Sequence, residues 1–295
     1  MPGPMTTDGW IGDIPLDDVQ RRLRELGHGI WDPVDSQVTG SICHYTSLAA
    51  FEGMLASGTF WLSDMTTLND KSEFVYFNEI LPSVILRKSI PSEVKDWFRP
   101  PHNIFGSFGA TWFGYVMCFC RAANKLEQWD RYADGAKGVA ISFDYGRMCD
   151  SVGPLNCGIV GVLYDQPTQV RQTERMIDGG IHLARELDIR TRDKPKYWFE
   201  VVMHLLQCSV RFKNPAFSGE EEVRILSIAT DRRGAKTRTD NAGRVTQYVE
   251  VQIPFATLDG VMLGPRSTVS ESQASSLLVQ RKLNVPVSRS NIPLR

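Results

Sequence analysis

The run Thr111–Cys120 (TWFGYVMCFC) limits the fold more than any other stretch of the chain. It is apolar at almost every position, so a strand built from it has no side suited to water and belongs to the buried kind. Short apolar and alternating runs predict further strands at Ser41–Thr46, Thr59–Ser63, Gly138–Asp144, Ile159–Tyr164, Glu222–Ile228, Val245–Ile253 and Gly260–Leu263. Helical spacing predicts Asp17–Leu26, stopped by Gly27, and Ser47–Ser57, capped by Ser47 and stopped by Gly58. Further helices are predicted at Ser72–Leu86, Asn124–Tyr132, Gln172–Leu187 and Lys196–Val210, with a surface excursion over 87–106. Strands and helices do not alternate as a doubly wound sheet requires, so the fold class is α+β with mixed or antiparallel sheets. Residues 1–40 read as an arm with one short helix, and 41–295 as a single α+β domain.

Hydrophobic residues make up 42% of the chain and aromatics 10%, enough for a large core. The formal charge of −1 gives no global field for nucleic acid, so any such contact must be a local patch. One candidate is the segment Asp231–Arg238, where Arg232, Arg233, Lys236 and Arg238 stand between two predicted strands. It reads either as a solvated hairpin tip or as a surface for nucleic acid or an acidic partner. The six cysteines form no C-x-x-C pair and read as reduced core residues. Glycines interrupt the longest apolar segment, 105–120, which is too short to span a bilayer, and the first residues lack the pattern of a signal peptide. The expectation is a cytoplasmic protein with no membrane partner.

The best clue to chemistry is Phe217–Leu226 (FSGEEEVRIL). On a strand, Glu220, Glu222 and Arg224 share one face while Glu221 joins Val223 and Ile225 on the other. Two acids on one strand face repel each other unless a cation or hydrogen-bond donor meets them. Either Arg224 neutralises a solvated strand start, or the acids form a site. His44 is the one histidine on a predicted strand, and a structural, hydrogen-bonded role is the simpler reading of it. Trp129 and Tyr132 either seal the core or line a pocket for a flat ring, and Arg121 suits a phosphate. Neither a G-x-S-x-G elbow, a Walker loop nor a strand-linked G-x-G-x-x-G is present, and no His/Cys/Asp/Glu set has metal-ligand spacing, so no metal is expected.

Five motifs occur in order: Ile42-Cys43-His44-Tyr45-Thr46-Ser47, Trp61-Leu62-Ser63-Asp64, Leu68-Asn69-Asp70-Lys71-Ser72-Glu73, Trp129–Gly138 (WDRYADGAKG) and Phe217-x-x-Glu220-x-Glu222-x-Arg224-Ile225. The set resembles a widespread bacterial family known only as a domain of unknown function, over residues 41–265. Separately, the last motif resembles the turn that carries the catalytic glutamate of ADP-ribosyltransferases. In that family a first strand gives a His or Arg that holds the NAD ribose. A second strand gives a Tyr or a Ser-Thr-Ser set beside the nicotinamide, and a later strand gives the glutamate.

The resemblance implies that Glu222 is catalytic, that Glu220 selects or activates the acceptor, and that Phe217 recognises the target. It gives His44 and Ser63 to the NAD site, with Trp61 as its flat surface; Tyr45 and Thr46 beside His44, and Arg121, Trp129 and Tyr132 by their chemistry, complete the expected cofactor-binding set. It also implies a split pair of small sheets with flanking helices, NAD as substrate, and a macromolecular acceptor (protein, DNA or RNA). The setting expected by analogy is a toxin or phage-defence effector. The second strand departs from the pattern, with Leu62-Ser63-Asp64 in place of Ser-Thr-Ser. Two rival expectations are a non-catalytic nucleotide or nucleic-acid binder and a metal-dependent hydrolase built on Glu220 and Glu222.

Overall fold

The computed structural model describes residues 9–35, 37–67, 76–87, 90, 95, 113–155, 157–229, 234–239, 243 and 245–294. In chain order the strands are β1 (Trp10–Ile11), β2 (Ile14–Pro15), β3 (Ser41–Thr46), β4 (Phe60–Asp64), β5 (Phe113–Cys120), β6 (Val139–Asp144), β7 (Gly158–Gly161), β8 (Glu222–Ala229), β9 (Lys236–Thr239), β10 (Val245–Val251), β11 (Leu258–Leu263) and β12 (Val287–Arg289). The helices are α1 (Leu16–Asp35), α2 (Leu48–Ser57), α3 (Phe77–Arg87), α4 (Leu126–Tyr132), α5 (Tyr145–Val152), α6 (Gln166–Glu186), α7 (Lys194–Ser209) and α8 (Glu271–Gln280). The motif 68–73, most of the expected excursion over 87–106, the first two residues of the expected strand at 111, and Arg232 and Arg233 lie outside the described residues.

Where the sequence suggested a break near residue 40, the chain divides into two compact units made of interleaved segments. One comprises residues 1–36, 70–110 and 163–215, and the other 37–69, 111–162 and 216–295.

The first unit is helical. Val19, Leu23 and Ile30 of α1 are buried with Phe77, Ile80 and Val84 of α3, Met176 and Ile177 of α6, and Tyr197, Trp198 and Val201 of α7. The short helix expected at Asp17–Leu26 is therefore twenty residues long and central to this core. Gly27 does not stop it. A Cβ there would stand 2.7 Å from His204 Nε2 on α7, so the missing side chain permits close helix packing.

The second unit is built on a ten-stranded sheet, counted among the described residues, in the order β12-β11-β6-β3-β5-β4-β10-β9, with β8 and then β7 on the remaining side of β5. All its pairings are antiparallel except β11 with β12. The mixed α+β class holds. The pair of separate sheets is replaced by one continuous sheet that forks. Along one edge β5 pairs with β8 from Phe113 to Cys120. Along the other, Tyr115 and Val116 pair with β4, and Cys120 pairs with Cys43 of β3. As the sequence suggested, the apolar β5 lies inside the sheet.

Register assigns the two faces. Cys43 is opposite Cys120, and Cys120 is opposite Glu222, so Cys43, Tyr45, Cys118, Cys120, Glu222 and Arg224 share a face. Cys43, Tyr45 and Cys120 pack there with Trp129 of α4. The opposite face, with Ile42, Phe119, Val223 and Ile225, meets Phe51 and Leu55 of α2 and Leu278 of α8 in the main core. Helix α2 has the expected caps: Ser47 Oγ accepts from Ala50 N at 3.1 Å, and Gly58 closes the helix at φ 68°.

Candidate functional site: a turn with three carboxylates

A 3-10 turn, Pro215–Glu220, carries the half-buried Phe217 and delivers the chain to β8. Glu220 belongs to that turn, so strand alternation begins only at Glu222. Between them Glu221 adopts the left-handed conformation (φ 46°), which is costly for a residue with a side chain. Its backbone is held on both sides: Arg121 N donates to Glu221 O at 2.9 Å, and Glu221 N donates to Ser218 O at 3.3 Å.

Three successive carboxylates meet three different cations. Arg131 Nη1 lies 3.6 Å from Glu220 Oε1, which also accepts from the Tyr132 hydroxyl at 3.4 Å. Lys125 Nζ is 2.8 Å from Glu221 Oε1 and donates to Gly219 O at 2.7 Å. Glu222 is gripped through both oxygens by Arg224, with Nε at 2.8 Å and Nη2 at 2.9 Å. The first two pairs reach the surface, the first through Arg131 alone, since the Glu220 side chain is 12% exposed. The third does not, for Glu222 is 5% exposed and Arg224 0%. Taking two charges from water is costly, and the fork-to-fork geometry is what offsets it.

Tyr45 and Trp129 back this turn. The Tyr45 hydroxyl donates to Ala122 O at 3.3 Å and accepts from Lys125 N at 3.1 Å, and burial raises its pKa. Trp129 is fully buried, edge-on to Tyr45 at 5.0 Å, with Nε1 donating to Asn124 Oδ1 at 3.0 Å. Its role in this arrangement is to seal the core. Tyr132 is exposed, and Arg121 carries a buried Nε that has no hydrogen-bond partner among the described residues.

His44 and Thr46 lie on the opposite face of β3 from Tyr45, and so on the opposite side of the sheet from Glu222. The His44 ring stands against Phe119, with Nδ1 2.9 Å from Cys118 O. A carbonyl only accepts, so Nδ1 carries the proton and Nε2 is the acceptor of the neutral ring. Burial lowers the His44 pKa, partly offset by that hydrogen bond. The contact falls where β3 and β4 part company along β5, and the imidazole supplies a rung that the backbone ladder lacks.

Trp61 and Ser63 occupy β4, which borders β5 at its other end. Ser63 is opposite Val116, which places both residues on the Glu222 side of the sheet. Tyr248, which the sequence did not single out, stacks on Trp61 at 4.3 Å. Arg238 stands 5.7 Å above the Trp61 ring and donates to Ser63 Oγ at 3.0 Å, while Lys236 Nζ is 2.7 Å from Glu250 Oε2. These two cations belong to strand β9, in the segment expected to be either a solvated hairpin tip or a surface for nucleic acid or an acidic partner. The candidate residues thus form three groups: Glu220, Glu222, Tyr45, Arg121, Trp129, Tyr132 and Phe217 at the acid turn, His44 and Thr46 behind it, and Trp61 and Ser63 with the basic strand.

Among the described residues no group of three or more His, Cys, Asp or Glu could hold a metal ion, and no helix is long and apolar enough to cross a membrane. Residues 128–225 match the model of a family described as a protein of unknown function, DUF2971. The matched stretch includes most of α4 and ends just after the Glu222–Arg224 pair. No curated protein and no solved structure matches the chain.

Proposed function

We propose that the sheet unit is an ADP-ribosyltransferase-like domain that cleaves NAD at the nicotinamide bond and passes ADP-ribose to a macromolecular acceptor or to water. The observation that carries this reading is the strand order. β5 lies between the strand of His44 and the strand of Glu222, and the acid turn behind Phe217 opens the second of these. Under this reading β5, and not the Ser63 strand, stands where the resemblance puts its second strand.

Cleavage expels neutral nicotinamide, so no general acid is required; an oxocarbenium-like ribose must be stabilised instead. A fixed carboxylate supplies negative charge where the positive charge develops. Arg224 orients the Glu222 carboxylate through two bonds, and a carboxylate has acceptor capacity for a further donor such as a ribose hydroxyl. Glu220, in contact with the exposed Arg131 and Tyr132, suits an acceptor group. Arg121, whose backbone N–H donates to Glu221 O, suits a diphosphate. His44 is then a residue that closes the fork and not a ribose holder.

The test is incubation with NAD labelled in the nicotinamide ring, alone and with protein, DNA and RNA acceptors. Free nicotinamide is expected, with a loss of about 10²–10³ in rate for Glu222→Gln. A folded protein that releases none with any acceptor overturns the reading, as does a Glu222→Gln variant of undiminished rate.

A further inference from the structure

We infer that the outer side of β4, β10 and β9 is a docking surface for single-stranded nucleic acid. Lys236 is opposite Tyr248, Tyr248 is opposite Ser63, and Arg238 lies two residues from Lys236, so all four share one face with Trp61. Two cations two residues apart on an extended strand stand about 7 Å from each other. Beside them Trp61 is 42% exposed, an uncommon state for a tryptophan in mid-sheet. The face therefore offers a flat ring flanked by two cations, with the Glu250 carboxylate opposite the ring, and a ring beside cations is the pair of features that single strands use for their bases and phosphates.

Both cations are held by contacts that a ligand can replace. Lys236 is exposed and pairs across the strand with Glu250, a surface contact of little worth. Arg238 rests on the Trp61 ring and the Ser63 hydroxyl. An exposed cation over an indole is worth less than a base stacked on the same ring. A base that takes the place of Arg238 frees the guanidinium for the adjoining phosphate, while Tyr248 continues to support Trp61 from its stacked position. An acidic peptide would engage the cations and leave the ring unused. A duplex keeps its bases stacked within itself.

The assay is fluorescence anisotropy with short labelled poly-U and poly-dT strands, and it contains no NAD, so its outcome is independent of the proposed NAD chemistry. Binding in either arm at low salt is expected, and the two arms show whether a ribose hydroxyl is used as well. Trp61→Ala should weaken it by roughly 5- to 100-fold, and Trp61→Phe, which keeps a ring, should retain most of it. Replacing Lys236 and Arg238 together by glutamine should lower the salt slope by about 1.4, or about 0.7 for each phosphate no longer neutralised. Thermal melting confirms that each variant is folded. Failure of the wild-type protein to bind either polymer overturns the inference. So do equal binding of a duplex, displacement by polyglutamate as readily as by unlabelled poly-U, or a folded Trp61→Ala protein of unchanged affinity.

Discussion

The sheet unit buries a carboxylate, the helical unit half-buries an imidazole, and the two groups are accommodated in opposite ways. In the sheet unit Glu222 is held through both oxygens by a guanidinium that is itself sealed from water. In the helical unit His204 loses its charge: burial, with Arg24 and His28 nearby, brings its pKa down to about 4, against a partial lift from Gln207. A pair survives burial only when both partners are present and well aligned, whereas an imidazole survives by staying neutral. The first arrangement is sensitive to mutation and the second to pH.

The largest effect should come from breaking the pair. Arg224→Met leaves the buried carboxylate without its guanidinium and should cost about 3–5 kcal/mol in urea unfolding, much of it restored when Glu222 is also made Met. An Arg224→Met protein as stable as the wild type would remove the contrast.

The helical unit should respond to acid. Above the ordinary histidine value of 6.5, His204 is neutral folded or unfolded and contributes no pH dependence. As pH falls from there towards about 4, the unfolded chain takes the proton first, so stability should drop by about 1 kcal/mol per pH unit. His204→Gln should flatten that slope in melts at a series of pH values. His44, shifted the same way by burial, should add a similar trend in the sheet unit.

The surface pairs of the same acid turn sharpen the comparison from the other side. Lys125→Ala should cost at most about 1 kcal/mol, and the difference should fade in concentrated salt. Arg131→Ala, which removes a longer contact made by a more exposed cation, should change stability by less than about 0.5 kcal/mol. A larger loss for Arg131 than for Arg224 would mean that depth does not govern these pairs.

Much of the sheet unit could be read from residue order because each strand carries its own apolar pattern. β5 is the clearest case. Its partners could not be read, since which strand lies beside which depends on contacts far apart in the chain; the fork and the Tyr248–Trp61 stack both belong to that class. The Glu222–Arg224 pairing was foreseeable from alternation, but its depth was not, because nothing local reports what covers a strand. The left-handed Glu221 was invisible for a similar reason: a favourable turn residue is normally glycine or asparagine. Helix α8 left a usable mark, the Ser270–Gln273 capping box, in a segment too polar to show a stripe. Helix α5 buries only Met148 and Val152, too few positions for its period to stand out. Gly27 misled because a glycine needed for close packing resembles one that ends a helix.

The fork has a mechanical meaning. Among the described residues, the strand pairing of the β3-β6-β11-β12 wing and that of the β4-β10-β9 wing meet through the eight residues of β5. Any twist imposed on one wing by a bound molecule is transmitted through that short span. The amides of Met117 to Phe119, between the two attachment points, are where strain from either side would first be felt as faster exchange with solvent.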